Sequence, residues 1–125
     1  MAFVQSNINP DGLRVGVCTV RAIAEALDQS WEQTYVDLAL QGLLMKDMPS
    51  ANHVWGEYLR GKGFRQRLVP DGEHGPITVE QFAKDNPFGT YILAISGHVV
   101  CVKDGDWLDS WNSGNEVPIY YWVKG

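Results

Sequence analysis

The chain is short of positive charge: ten Lys and Arg against fifteen Asp and Glu leave a formal net charge of −5 over 125 residues. Phosphate neutralisation needs clustered cations, and no basic block appears, so the composition argues against a general nucleic-acid binder. Cysteine is scarce too. Cys18 and Cys101 are too few and too far apart for a disulfide framework, and neither belongs to a CxxC pair. Reduced thiols and a cytoplasmic setting are expected. Long apolar runs are also missing: no window approaches about 18 consecutive apolar residues, and "MAFVQSNINPDGLR" has neither the basic start nor the apolar stretch of a secretion signal. A soluble chain with no membrane association follows as an expectation. There are no repeats, low-complexity tracts or linker-like segments, so residues 1–125 read as a single domain.

What is present is a globular composition, with 45% hydrophobic residues and five tryptophans. Residues 1–17 carry Pro10, Gly12 and Gly16 among polar residues and read as an irregular lead-in. From Cys18 to about Leu27 the apolar positions Val20, Ile23, Ala24 and Leu27 recur at helical spacing. Ser30 and Gln33 form a capping box before a second helix ending near Met45, with the stripe Tyr35, Leu38, Ala39 and Leu43. A third helix fits Asn52 to about Arg60, capped by Asn52, and a fourth fits Thr78 to Asp85, with Thr78 and Gln81 as another capping box. Between them "FRQRLV" alternates like a strand. After Thr90 the helical period gives way to "TYILAI", "HVVCVK", "DWLDSW" and "PIYYWV", β-branched and aromatic runs separated by turns. Helices first and strands last indicate an α+β domain, with N-terminal helices packed on a C-terminal antiparallel β-sheet.

The run "SGHVVCVKDGDWLDSW" places a histidine among valines. If Asp104-Gly105 is the two-residue loop of a type I′ hairpin, counting outward pairs Lys103 with Asp106, Val102 with Trp107, Cys101 with Leu108, Val100 with Asp109, Val99 with Ser110 and His98 with Trp111. His98, Val100, Val102, Trp107, Asp109 and Trp111 then share one face, and Val99, Cys101, Leu108 and Ser110 the other. His98 and Asp109 become diagonal neighbours, roughly 7–8 Å apart along the backbone, within reach of extended side chains. A lone histidine in an apolar strand is more often a hydrogen-bonded core residue than a catalyst. A carboxylate at the matching position changes that balance, because it fixes the ring tautomer and stabilises the imidazolium. In this register Trp111 covers the pair, Asp106 forms a solvated pair with Lys103, and Asn112 points to the other face.

Cys18 opens the first helix, where unpaired N–H groups and the helix dipole favour an anion and depress a thiol pKa. Its own backbone N–H is a candidate donor to an oxyanion, an interaction worth about 2.7–4 kcal/mol in known sites. A buried structural cysteine is the plainer alternative, and Cys101, mid-strand with nothing to activate it, reads that way. A zinc site from Cys18, His98 and Cys101 has the wrong faces and no paired ligand spacing, and no metal or cofactor is expected. His53 and His74 lie in polar surroundings and read as exposed.

"GVCTVRAIAEAL" is similar to the cysteine box of papain-like peptidases, in particular to the ovarian-tumour-type pattern of a glycine, one residue, the nucleophile, two residues and then Arg-Ala. "GHVVCVKDGDWLDSW" resembles the histidine box of the same superfamily as found in bacteriocin-processing peptidases. The two boxes cover about a fifth of the chain, and the whole pattern looks like small superfamily members from Gram-positive bacteria and their phages. The resemblance implies a papain-like fold and a nucleophile Cys18, a base His98 and an orienting Asp109. It departs where papain proper has its oxyanion-hole glutamine, here Gly12, and where the ovarian-tumour-type enzymes have an aspartate, here Val15. Gln5, Asn7 and Asn9 are donors that could fold back from the lead-in, with no spacing to choose among them. The expected activity is a thiol hydrolase acting on a peptide, isopeptide or related amide bond of a peptide or protein substrate. The alternative from another class is a catalytically silent papain-like binding protein, such as a phage or mobile-element inhibitor of a host factor.

Overall fold

A computed structural model describes residues 2–11 and 18–124. Gly12 and Val15, the positions compared with the family's oxyanion residues, and Gly16 of the lead-in lie outside the described residues.

The elements in chain order are β1 (Phe3–Gln5), α1 (Cys18–Leu27), α2 (Trp31–Met45), α3 (Asn52–Gly61), β2 (Phe64–Leu68), α4 (Val79–Asp85), β3 (Thr90–Ile95), β4 (His98–Lys103), β5 (Asp106–Asp109) and β6 (Tyr120–Lys124). This is an α+β arrangement. The six strands form one sheet in the order β1-β5-β4-β3-β6-β2. The expectation of a purely antiparallel sheet is corrected at its edge. Phe3–Gln5, read as irregular lead-in, pairs in parallel with Trp107, Leu108 and Asp109. A three-residue strand is too short to show alternation, and its partner is about a hundred residues away in sequence, so no local pattern could have signalled it.

The sheet is covered on both faces, and alternation along β3 and β4 sorts their side chains between two clusters. On one face Ile92, Ala94, Val99, Cys101 and Trp122 pack with Ala22, Ile23, Leu38, Trp55 and Leu59 of α1 to α3. On the other, Leu93, Val100, Val102 and Trp107 pack with Val79, Phe82 and Ala83 of α4.

Local chemistry starts α2 and α4. Ser30 Oγ accepts from Gln33 N–H at 3.1 Å, and Thr78 Oγ1 accepts from Gln81 N–H at 3.2 Å. The cap of α3 differs from the expectation. Ala51 occupies the cap position without a side-chain bond, and Asn52 is the first helical residue, its Oδ1 accepting from Trp55 Nε1 at 3.2 Å. The buried side of α2 also differs from the predicted stripe: Thr34, Leu38 and Gly42 are buried, whereas Tyr35 and Leu43 are exposed. Both sides of α2 carry apolar residues, so periodicity could not choose between them. Gly42 helps to choose, because its Cα approaches the Asp47 carbonyl and Pro49 so closely that a Cβ there would lie 2.6 Å from the oxygen.

The β4–β5 turn has the expected form, with Asp104 at φ 50° and Gly105 at φ 84°, the double positive φ of a type I′ turn. Its register is Lys103↔Asp106, Val102↔Trp107 and Cys101↔Leu108. There the ladder ends, short of the expected pairs out to His98 and Trp111. The Asp109 carboxylate accepts from the backbone N–H of Ser110 at 2.7 Å and turns the chain out of the strand. Strand alternation stops with it, and Asn112, instead of pointing away, accepts from Trp107 Nε1 at 3.0 Å. Lys103 donates to Asp28 of the segment after α1 at 2.9 Å.

Candidate active site

Three elements deliver the site. Cys18 is the first residue of α1, His98 the first residue of β4, and Asp109 the last residue of β5. The structure brings all three together. Asp109 Oδ2 lies 2.6 Å from His98 Nε2, and Cys18 and His98 line one cleft, close enough for each to shift the other's pKa. With Nε2 engaged by the carboxylate, Nδ1 is the ring nitrogen free to serve the thiol. Because His98 begins its strand, directly after the Gly97 turn, its ring is not confined to the sheet face that Val100 shares with α4. It meets Cys18 of α1 as well.

Burial acts to raise the Cys18 pKa, but it is outweighed by the hydrogen bond to His98, the backbone N–H of Val99 and the charge on the imidazole, so the thiol titrates below its ordinary range. For His98, burial works to lower the value and is overcome by Asp109 and Cys18, which push it up to about 9. Asp109 is held below the usual carboxylate range: burial would raise it, and the bonds from His98 and Ser113 prevail. All three shifts favour a thiolate–imidazolium pair beside a carboxylate at neutral pH.

The carboxylate is more heavily bonded than the sequence indicated. Asp109 is fully buried, and its Oδ1 accepts from Arg21 Nη2 at 2.9 Å and from Ser110 N–H at 2.7 Å. Its Oδ2 takes the His98 ring and the Ser113 hydroxyl, the latter at 2.7 Å. Each oxygen therefore carries two bonds, close to the full acceptor capacity of a carboxylate. Arg21 and Ser113 were not anticipated as site residues. Arg21 had a signal: it follows Cys18 by three residues, one helical turn, and so shares a side of α1 with it. Ser113 had none, since its approach depends on the chain turning after Asp109. In the ion-pair state, Cys18 and Asp109 carry two negative charges and His98 and Arg21 two positive ones. The buried cluster is neutral overall, which makes it tolerable in a low-dielectric interior.

Trp111 covers the imidazole as expected, its ring centroid 4.9 Å from that of His98 at 34°. It is itself 44% exposed, so it screens one side of the ring from water without sealing it. On the open side is a cleft of about 430 Å³ whose walls include Cys18, Asn52, Trp55, His98 and Tyr120. Gln5, Asn7 and Asn9 do not line it. Asn9 is instead buried and accepts from Asp11 N–H at 2.8 Å.

Cys101 behaves as the sequence suggested, fully buried in the cluster under α1 to α3, where burial pushes its thiol up to about 12. His53 pairs with Asp47 at 2.8 Å on the surface. Among the described residues, no group of three His, Cys, Asp or Glu side chains is placed to hold a metal ion, and no helix is long and apolar enough to cross a membrane. No protein-family model, curated protein or solved structure matches the chain.

Proposed function

We propose that this chain is a papain-like cysteine hydrolase that cleaves a peptide, isopeptide or related amide bond, with Cys18 as nucleophile, His98 as general base and acid, and Asp109 as the residue that orients and charges His98. One observation carries the reading: a thiol at a helix N-terminus shares a cleft with an imidazole that a buried carboxylate holds at 2.6 Å, and the thiol pKa is lowered while the ring's is raised.

The Cys18 thiolate adds to the carbonyl carbon, forming a C–S bond and placing the negative charge on oxygen. The first N–H groups of α1, which have no acceptor inside the helix, are donors available to that oxygen. As the C–N bond breaks, the His98 imidazolium gives its proton to the leaving amine. Water then adds to the thioester carbon with its proton passing to His98, and the C–S bond breaks to return the thiolate and release the acid. Asp109 stays ionised throughout, and its Arg21 and Ser113 contacts keep Oδ2 directed at the ring. The two free thiols suit a reducing, cytoplasmic setting.

The test is alkylation of Cys18 by iodoacetamide at pH 6. The reading expects a rate far above that of a free thiol, with the advantage abolished in His98→Ala. Ordinary reactivity would sink it. A repurposed papain-like binding protein is the second reading, favoured by the apolar stripe that Val36, Leu40, Leu43 and Leu44 expose along α2. On that reading a Cys18→Ala variant keeps its full biological effect.

A further inference from the structure

The net charge is −5, yet the cations are not evenly spread. Residues 58–70, "YLRGKGFRQRLVP", hold Arg60, Lys62, Arg65 and Arg67 and no acidic residue. The fold brings Lys124 to them: its Nζ lies 5.4 Å from the Phe64 ring centroid and donates to the Lys62 carbonyl. Five of the ten basic residues thus gather around β2.

β2 is also an edge strand, last in the sheet order and paired with β6 alone. Just beyond it, Val69 N–H donates to the Ile119 carbonyl at 3.3 Å, which makes 69 and 119 a hydrogen-bonded pair of the antiparallel ladder. Counting back by two, Arg67 and Arg65 turn their backbone groups toward β6, and Leu68 and Gln66 turn theirs to the open edge. Both of the latter residues are exposed, Leu68 by 80%. The Gln66 carbonyl accepts only from the exposed Arg67 guanidinium, at 3.1 Å.

We infer that the β2 edge is a docking site for an extended acidic segment of a partner protein, which joins the sheet as an added strand. Docking there does not involve Cys18 or its chemistry. Main-chain hydrogen bonds to Gln66 and Leu68 supply the attachment, and the cations select the charge of what attaches. An added strand sends successive side chains to opposite faces, and cations stand on both. Phe64 is buried under α1 to α3 with Lys124 over its ring, so by alternation Arg65 and Arg67 take the other face. Neither arginine forms an ion pair with a described residue. A second copy of the chain is a poor occupant, because two β2 edges paired with each other set arginine against arginine, and like charges directly opposite are destabilising. A nucleic acid would meet the cations but leave the edge groups of Gln66 and Leu68 without backbone partners.

The probe is a peptide of about six residues, the usual length of a strand, blocked at both ends, with Glu alternating with Val. Two companions each change one property: Lys replaces Glu, or the backbone nitrogens are methylated. Binding is followed by NMR titration of the protein amides, and their hydrogen exchange is read at saturation. The Glu peptide should bind at least about tenfold more tightly than either companion and weaken as NaCl is raised. Exchange at Gln66 and Leu68 should slow, while Arg65 and Arg67, already bonded to β6, change little. In Arg65→Glu/Arg67→Glu the preference should reverse toward the Lys peptide, a gain that misfolding cannot produce. No binding of the Glu peptide, or equal binding by either companion, overturns the site. A single-stranded oligothymidylate that binds as tightly as the Glu peptide, with exchange at Gln66 and Leu68 unslowed by that peptide, overturns the added strand in favour of a phosphate-binding patch.

Discussion

Arg21 Nη2 donates to Asp109 Oδ1 across 2.9 Å in the interior, the two side chains being 2% and 0% exposed. The nucleophile and the cation that anchors the acid are thus mounted one turn apart on the same helix. Removing the guanidinium leaves a buried carboxylate without its countercharge, and breaking a buried pair in that way costs about 3–5 kcal/mol. Arg21→Met should therefore unfold at markedly lower urea, and the same midpoint as the parent would show that the pair contributes nothing to folding.

Asp109→Asn keeps the size of the side chain and removes its charge. The His98 value, held up to about 9 in the parent, should fall, and the titration midpoint of the ring carbon protons by NMR measures this. Cys18 loses its charged partner at neutral pH, so its alkylation profile should move to higher pH. An unmoved His98 midpoint would mean that Asp109 does not charge the ring.

The dependence of stability on pH follows from the signs of the shifts. His98 has a folded value of about 9 against an ordinary 6.5, so its contribution is fully present below 6.5 and is lost as pH rises through 9. Cys18 has a lowered folded value, so its contribution is present above its ordinary 9.0 and is lost as pH falls through the folded value. The two oppose each other. In Cys18→Ala the histidine acts without the thiol, and urea midpoints should fall as pH is raised above 6.5, whereas the parent stays flatter over that range. A Cys18→Ala midpoint that rises across the same interval would refute the assignment.

Gly97 lines the cleft, yet a Cβ on it would touch nothing within 4 Å. Its φ of 71° is what calls for glycine, as the chain turns tightly from β3 into β4. Gly97→Ala should thus cost about 1–2 kcal/mol in stability through the left-handed backbone alone. Gly97→Asn should cost less, and equal losses by denaturation would point to a steric cause.

Much of this was legible locally. The helix starts at Ser30 and Thr78 are capping chemistry within four residues, and the Asp104-Gly105 turn is a dipeptide preference, so each is determined without reference to the rest of the fold. The association of His98 with Asp109 was also legible, because a hairpin converts sequence spacing into geometry. The route was partly wrong. The ladder stops at Cys101↔Leu108, and the two side chains meet where β5 ends, not inside a continuous register.

By itself, the sequence determined the α+β order of helices and strands, the two turns of the meander and the residue types able to do thiol chemistry. These depend on period, capping and φ preferences that act over a few residues. Only the tertiary structure decided which side of α2 is buried, that Phe3–Gln5 completes the sheet, and that Arg21 and Ser113 close around Asp109. Those are outcomes of close packing and of a buried carboxylate's need for donors. Both are settled by residues that meet across the fold.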